Sequence, residues 1–207
     1  MIMRGRFIVF EGIDGSGKTT QARLLANRLE ENGASVVMTA EPTELPTGKA
    51  LRAALGGKAK KSECEMAVLF VEDRIAHNIA PVGGIEELLE SGAWVICDRY
   101  YYSTLAYQGQ STDYEWVKSM NLRCPQIRKP DLCIYVDLLP EQSLERISKG
   151  RETVEIYENI ETLSKVREQF LSVIRDLGET DNICIVDGYR GVDEISEDIY
   201  AIVSLLG

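Results

Sequence analysis

A short apolar run that ends in a glycine-rich loop constrains this chain more than any other stretch. Residues 7–10, Phe-Ile-Val-Phe, have no polar interruption, as expected of a strand buried on both faces of a parallel sheet. Residues 12–19 follow directly and fit the spacing G-x-x-x-x-G-K-[S/T]. Glycines at these positions let successive backbone N–H groups turn inward toward a polyphosphate. The stretch therefore predicts a strand, a phosphate-binding loop and a helix, in that order.

Each part of this loop has a predicted task at a nucleoside triphosphate. The Lys18 ammonium would reach the β- and γ-phosphates, and the Thr19 hydroxyl would join the coordination shell of a Mg²⁺ ion. The helix that follows would present the positive end of its dipole to the same phosphates. We therefore predict an ATP site whose contacts are Gly12, Asp14, Gly15, Ser16, Gly17, Lys18, Thr19 and Thr20.

Size and charge narrow the possible functions. A chain of 207 residues can bury one α/β core well and is short for two, so we expect a single domain over residues 1–207. The net charge of −10 argues against broad nucleic-acid binding, whereas a small anionic ligand needs only a local positive site. No apolar run approaches the roughly 18 residues that span a membrane, and no apolar leader precedes the first strand. We expect a cytoplasmic protein.

Reactive side chains are few. Five cysteines are scattered without a C-x-x-C pair and are expected to be reduced. The single histidine, His77, leaves Ser-His-Asp catalysis and histidine-based metal sites without their parts, and we interpret it as an ordinary helix residue. The lysine cluster at residues 58–61 is interpreted as a solvated loop rather than a binding patch.

Helix-like and strand-like segments alternate along the chain. Apolar runs typical of buried strands recur, separated by segments whose apolar residues lie three or four apart. The predicted strands cover residues 7–10, 35–39, 93–97, 132–136 and 183–186. The predicted helices cover residues 18–29, 48–55, 62–74, 85–89, 113–123 and 157–177, with one more beginning at Pro140 and one at the C-terminus. Repeated β-α units predict an α/β protein in three layers, with a five-stranded parallel sheet in the middle.

Charged and aromatic residues follow two of the predicted strands. The second strand is followed by Glu41 and Pro42, and the third by Asp98 and Arg99 ahead of three tyrosines. Ligands of parallel α/β sheets bind at the carboxyl ends of the strands, so these residues are candidate site residues.

Two further features admit both a plain and a functional interpretation. Phe70 and Arg74 lie four apart and would share one helix face, although spacing alone favours a core phenylalanine and a surface arginine. Residues 146–151 carry three cations around Gly150. This stretch is either an ordinary surface segment or part of a mobile lid over phosphates, at about residues 146–156.

The segment ICDRYYYSTLAYQ, at residues 96–108, resembles the signature of the thymidylate kinase family. The loop FEGIDGSGKTTQ, the Phe70-x-x-x-Arg74 pair and the basic stretch leading to Tyr157 extend the resemblance over essentially the whole chain. It implies a three-layer α/β/α P-loop kinase fold with a helical lid segment. It also implies phosphoryl transfer from ATP to dTMP in the presence of Mg²⁺, and a homodimer.

The resemblance implies a role for each matching side chain. Phe70 would stack on the thymine ring, and Arg74 would bond the base. Arg99 would hold the acceptor phosphate, with Asp98 near the metal and the phosphates and Asp14 at the acceptor's sugar and phosphate region. The remaining implied substrate contacts are Thr104, Tyr107, Gln108 and Tyr157.

The sequence departs from the family pattern at two places. Relatives usually carry an arginine beside the Glu-Pro pair, where this chain has Ala40, and Arg52 could supply that acceptor-phosphate contact instead. Some relatives carry an arginine after the loop aspartate, where this chain has Gly15. The additional cation that a transferring phosphoryl group needs would then come from the lid. The expected catalytic set is Lys18, Asp14, Arg99, Lys149 and Arg151, with Thr19 and Asp98 as metal ligands and Arg146 as a further ATP contact.

Two rival functions stay open at this point. A kinase of another nucleotide or deoxynucleoside could use the same fold, and a nucleotide-binding protein could keep the loop without transferring phosphate. Ala40 leaves room for both. Retention of Lys18, Thr19, Asp98 and Arg99 favours catalysis, because in-line phosphoryl transfer depends on cations and positioning rather than on a strong base.

Overall fold

The computed structural model describes residues 4–150 and 160–206, without the side chains of residues 149 and 150. Its strands are β1 (Phe7–Glu11), β2 (Val36–Ala40), β3 (Trp94–Asp98), β4 (Leu132–Asp137) and β5 (Ile183–Asp187). They form one sheet in the order β2-β3-β1-β4-β5, and every neighbouring pair is parallel. The prediction of a five-stranded parallel sheet is confirmed.

Helices lie between successive strands, and one more follows β5. They are α1 (Lys18–Glu31), α2 (Pro46–Leu55), α3 (Glu63–Ile79), α4 (Ile85–Glu90), α5 (Tyr101–Tyr107), α6 (Tyr114–Leu122), α7 (Pro140–Gly150), α8 (Ile160–Leu177) and α9 (Val192–Ser204). Most bounds lie within a few residues of the predicted ones. Helix α3 begins at the predicted capping box, with Ser62 and Glu65 bonded reciprocally, but continues one further turn. Helix α5, directly after the Asp98-Arg99 pair, was not predicted as a helix.

Side chains of β1 alternate between two cores, as the apolar run predicts. Phe7 and Val9 join a cluster that includes buried residues of α5 and α8, whereas Ile8 and Phe10 join one that includes buried residues of α1 and α9. All four side chains are fully buried. The sheet is therefore covered on both faces, which gives the predicted three layers.

The strand register gathers polar residues at one edge of the sheet. Asp98 at the end of β3 is opposite Phe10 of β1 and Ala40 of β2. On the other side of β1, Glu11 is opposite Tyr135 of β4. Because all strands run in the same direction, the loops that leave β1, β2 and β3 emerge side by side.

The structure bears on three expectations from composition, which concern membrane spans, cysteines and the lysine cluster. Within the described residues, no helix is long and apolar enough to cross a membrane. The five cysteines all lie in the described part of the chain and are free thiols there. The lysine cluster at residues 58–61 is exposed, as expected of a solvated loop.

Candidate active site

The predicted phosphate loop joins β1 to α1 and packs against α7. Gly15 has a φ of 74°, and a Cβ there would lie 2.9 Å from the Ser143 carbonyl oxygen and 2.9 Å from the Ile147 side chain. The Ser143 hydroxyl also donates to the carbonyl oxygen of Asp14. Both the backbone conformation and the close approach of α7 therefore favour glycine at position 15. A longer side chain at position 15, including an arginine, would collide with α7.

Lys18 opens α1 with its side chain folded back over the loop. It is 6% exposed, and its ammonium donates to the Ile13 carbonyl oxygen at 3.0 Å. Burial, reinforced by the Arg99 charge, lowers the pKa of Lys18 to about 8, although Asp98 and Asp14 act in the opposite direction. The loop thus holds a poorly solvated cation beside its backbone amides, an arrangement that stabilises anionic oxygens without reorganisation.

Thr19 and Asp98 form an oxygen pair at the rim of the loop. The Thr19 hydroxyl donates to the Asp98 carboxylate at 2.5 Å. Such a pair fits Mg²⁺, which uses one or two protein oxygens and completes its shell with phosphate oxygens and water. No group of three or more His, Cys, Asp or Glu side chains in residues 4–148 and 160–206 could hold a metal ion by itself. A metal here would depend on the nucleotide.

A cavity of about 440 Å³ opens beside the loop. Loop residues from Asp14 to Thr20 line one side, and α7 and the start of α9 line the other. The Arg146 guanidinium, at the predicted place, donates to the carbonyl oxygens of Ser16 at 3.2 Å and Gly188 at 2.8 Å. Gly12 is buried and does not contribute to the lining. The sequence analysis did not identify five further lining residues: Gln21, Ile147, Arg190, Val192 and Ile195.

A second cavity, of about 650 Å³, shares Asp14 with the first. Its apolar wall includes Pro42, Leu55 and Phe70. Asp98, predicted as a substrate contact, is paired with Thr19 at the loop and is not part of this lining. The cavity brings together the other predicted substrate residues that the structure describes, namely Asp14, Arg52, Phe70, Arg74, Arg99, Thr104, Tyr107 and Gln108.

Arg74 is a buried residue of this cavity, so the interpretation as a surface arginine is wrong. Its side chain is 1% exposed and pairs with Glu41 at 2.6 Å. It also donates to the Asn121 side-chain oxygen at 2.5 Å and to the Thr104 hydroxyl at 3.2 Å. Phe70, one turn earlier on α3, lines the same cavity. The four-residue spacing therefore places both side chains at the same cavity.

Glu41 connects Arg74 to the single histidine. One carboxylate oxygen contacts Arg74, and the other lies 3.0 Å from His77 Nδ1. The His77 Nε2 atom lies 2.8 Å from the Thr39 hydroxyl. His77 lies in a helix as predicted, but it is 4% exposed and belongs to this network, which its sequence context did not indicate. Only the position of Glu41 at a strand end hinted at a role in the site.

Known proteins resemble this chain over nearly its whole length. The family model described as thymidylate kinase matches residues 10–199. This chain belongs to the thymidylate kinase family. A probable thymidylate kinase of Pyrococcus horikoshii is 40% identical, covering 99% of this chain and 100% of the relative. One of Methanococcus aeolicus is 43% identical, covering 94% and 93%. The thymidylate kinase of Leptospira borgpetersenii is 40% identical, covering 93% and 90%.

Arg99 occupies a special position in this thymidylate kinase fold. Among the described residues it is the one non-glycine residue with a positive φ, 69°. Its guanidinium pairs with Asp14 and donates to the Ser103 hydroxyl at 3.0 Å. The guanidinium carbon lies 5.5 Å from the centroid of the Tyr107 ring. Arg99 therefore stands where the glycine-rich loop meets the second cavity.

Arg52 contacts the Glu-Pro segment that follows Ala40. It donates to the Pro42 carbonyl oxygen at 2.7 Å and pairs with Glu44 at 2.9 Å. Because Glu44 is largely exposed, this surface ion pair holds Arg52 only weakly. The guanidinium is thus kept at the cavity without a strong competing partner.

The predicted lid cations cannot be placed in the same way. The side chain of Lys149, and the whole of Arg151 and Tyr157, lie outside the described residues. The backbone of residues 146–150 continues helix α7 instead of forming a loop between two helices. Their proposed roles stay predictions.

Proposed function

We propose that this chain transfers the γ-phosphoryl group of ATP to dTMP, producing ADP and dTDP for dTTP synthesis. The observation that carries the proposal is the meeting of two unlike cavities at Asp14, which lines both. One offers backbone amides and a buried lysine, which suit a polyphosphate. The other combines an aromatic and apolar wall with three arginines, which suits a pyrimidine monophosphate. The names of the curated relatives support dTMP as the acceptor.

On the donor side, the loop amides and Lys18 would cradle the β- and γ-phosphates. Thr19 and Asp98 would hold Mg²⁺ together with phosphate oxygens, and the ion would neutralise charge on the β- and γ-phosphates. Arg146 would contact ATP from the opposite wall. Its two bonds to backbone carbonyl oxygens support this role, because they fix the orientation of the guanidinium plane.

On the acceptor side, Phe70 would stack on the thymine ring while Arg74 and Thr104 meet its polar edge. Arg99 would hold the acceptor phosphate, and Arg52 would supply the contact that Ala40 does not. The burial of Arg74 supports base recognition, because a buried and partly unpaired donor discriminates strongly between ligands that satisfy it and ligands that do not. Tyr107 and Gln108 complete the lining of this cavity.

The chemical step would be an in-line attack of a dTMP phosphate oxygen on the γ-phosphorus. The attacking oxygen is already anionic, so no general base has to remove a proton. The task of the protein is to bring two polyanions together and to compensate the charge that moves between them. Arg99 pairs with Asp14, and the same carboxylate acts electrostatically on Lys18, which supports a joint role for the two cations. We assign the remaining catalytic cations to Lys149 and Arg151.

We also propose that residues 1–207 act as one domain, with a lid at about residues 146–156, in a cytoplasmic homodimer. The single sheet, which carries both cavities at one edge, supports a single domain. The dimer rests on the family resemblance. Light scattering of the purified protein would measure its mass directly, and a monomer of 23.1 kDa would overturn the dimer.

A substrate panel tests the proposed reaction. Purified protein with ATP and Mg²⁺ is supplied with dTMP, dUMP, UMP or thymidine, and ADP formation is followed with a coupled assay. We expect the highest kcat/KM with dTMP. A preference for another acceptor would favour the rival kinase, and nucleotide binding without ADP formation would favour a binding protein.

A further inference from the structure

Glu11 is a buried carboxylate that the reaction described above does not use. It ends β1, immediately before the phosphate loop, and is fully buried. Burial raises the pKa of the Glu11 carboxyl, and the Arg99 charge acts in the opposite direction. A carboxylate in such a place is costly to bury unless several donors satisfy it, so its partners show what it is for.

Among the described residues, every hydrogen bond that the Glu11 carboxylate accepts comes from the segment that follows Arg99. One oxygen of Glu11 accepts from the backbone N–H of Tyr100 at 2.8 Å and from that of Ser103 at 3.1 Å. The other accepts from the Ser103 hydroxyl at 2.7 Å. The Ser103 oxygen in turn accepts from the Arg99 guanidinium at 3.0 Å. Glu11, Ser103 and Arg99 thus form a continuous chain of hydrogen bonds.

The backbone of Arg99 needs such support. A non-glycine residue with φ of 69° is strained and persists only where its surroundings enforce that conformation. The Arg99 N–H donates to the Phe10 carbonyl oxygen at 2.9 Å, one residue before Glu11. Glu11 then holds the N–H of the next residue, Tyr100. The end of β1 therefore fixes the backbone on both sides of the strained position.

We infer that Glu11 and Ser103 are positioning residues for Arg99, which they aim at the phosphate of the acceptor nucleotide. Ser103 fixes one side of the guanidinium while Asp14 pairs with the other. Glu11 fixes the direction of the Ser103 hydroxyl, because a hydroxyl that donates to a carboxylate presents its lone pairs to the arginine. This inference rests on the proposed role of Arg99 at the acceptor phosphate.

A purely structural alternative is that Glu11 only caps helix α5. Capping alone would predict lower stability after substitution, with no selective effect on one part of the ligand. Positioning of Arg99 predicts a loss confined to the phosphate. The ratio of the thymidine Kd to the dTMP Kd isolates that part, because the two ligands differ only in the phosphate.

The test measures both Kd values by calorimetry for the wild type and for Arg99→Ala, Ser103→Ala and Glu11→Gln. Arg99→Ala should lower the ratio by on the order of thirtyfold, the loss of a charged contact. Ser103→Ala and Glu11→Gln should lower it about threefold to tenfold and leave the thymidine Kd near the wild-type value, since each weakens one bond that orients the arginine. Ser103→Ala keeps the assay interpretable if Glu11→Gln fails to fold.

A double variant separates positioning from direct contact. The double variant Arg99→Ala with Ser103→Ala should have the same ratio as Arg99→Ala alone, because a residue that acts through Arg99 has no effect without it. Asp181→Asn is the matched control. Asp181 is also a buried carboxylate bonded to α5, through the Tyr101 and Tyr102 hydroxyls, but it has no contact with Arg99. It should lower the melting temperature and leave the ratio intact.

The outcomes are distinguishable. An unchanged ratio in Arg99→Ala would overturn the proposed role of Arg99 itself. A normal ratio in Ser103→Ala and Glu11→Gln, together with a low ratio in Arg99→Ala, would overturn the positioning inference alone. Additive losses in the double variant, or an equal loss in Asp181→Asn, would also overturn it, since the first means direct contact and the second general destabilisation.

Discussion

The cavity beside the phosphate loop, proposed above to bind the donor, and the second cavity, proposed to bind the acceptor, are built in different ways; they are called the donor cavity and the acceptor cavity below. The donor cavity takes most of its lining from one continuous stretch, residues 14–21. The acceptor cavity takes its side chains from the loop, the end of β2, α2, α3 and α5. A contiguous backbone site needs only correct glycines and one lysine. A site assembled from separate elements needs a network that holds each side chain in place.

The two cavities also differ in how they keep their charges. The Lys18 ammonium donates to one backbone carbonyl oxygen, and its pKa is lowered to about 8. A bound anion would therefore stabilise its charged form. Arg74 already has Glu41, Asn121 and Thr104 as partners. The charge of Arg74 is thus paired with a protein carboxylate, whereas the carboxylates near Lys18 only partly offset the cost of its burial.

Replacement of Lys18 should have the largest effect and should be confined to the donor side. Lys18→Ala is expected to lower kcat by about a hundredfold to a thousandfold, because it removes a cation from the transferring phosphoryl group. The Kd for dTMP should stay near the wild-type value. Steady-state kinetics and calorimetry measure both, with the exposed Lys58→Ala as the control. Wild-type turnover in Lys18→Ala would contradict the assignment.

Replacement of Glu41 should disturb the acceptor side alone. Glu41→Gln leaves the buried Arg74 charge without its carboxylate and is expected to cost about 2 to 3 kcal/mol of unfolding free energy. Binding of thymidine should weaken because Arg74 loses its position, whereas ATP binding should not change. Urea unfolding and calorimetry give the two quantities. Glu86→Gln, at a partly exposed ion pair, is the control and should cost less than about 0.5 kcal/mol. Equal losses in ATP and thymidine affinity would mean that the cavities are not independent.

Replacement of the proposed lid cations should slow the chemical step, in which both sites take part. The double variant Lys149→Ala with Arg151→Ala is expected to lower kcat about tenfold or more and to raise either KM less, because the interaction forms mainly in the transition state. Lys58→Ala with Lys60→Ala removes the same number of charges from an exposed loop and should leave kcat unchanged. A near-normal kcat in the lid variant would place the missing cation elsewhere.

The smallest predicted effect is the uptake of a proton when ATP binds. With a pKa of about 8 before binding, Lys18 is largely neutral at pH 9, and the triphosphate should restore its charge. ATP binding at pH 9 is therefore expected to take up close to one proton, and affinity should fall as pH rises through 8. Calorimetry in buffers of different ionisation enthalpy measures the uptake. Lys18→Ala should abolish it, and an uptake that persists in this variant would assign the titration to another group.

Local patterns predicted much of this molecule, and their failures share a cause. The loop, the five strands and α3 with its capping box were predicted from neighbouring residues, which determine backbone conformation. Spacing alone favoured a surface Arg74, and that interpretation failed because its burial depends on Glu41, 33 residues away; the family resemblance had implied a site residue. The start of α9, which lines the donor cavity, carries no motif because it contributes ordinary side chains.

The sequence by itself determined the strand, the glycine-rich loop and the helix that follows it, and it predicts a polyphosphate site there, because glycine spacing and a following helix are enough to build an anion site. It also determined the parallel sheet, since buried runs alternate with amphipathic helices. Only the tertiary structure decided the strand order and the hydrogen-bond chain from Glu11 through Ser103 to Arg99. It also decided that the lone histidine belongs to a buried network. The physical reason is that a buried charge is stable only beside its partners, and those partners become neighbours only when distant segments fold together.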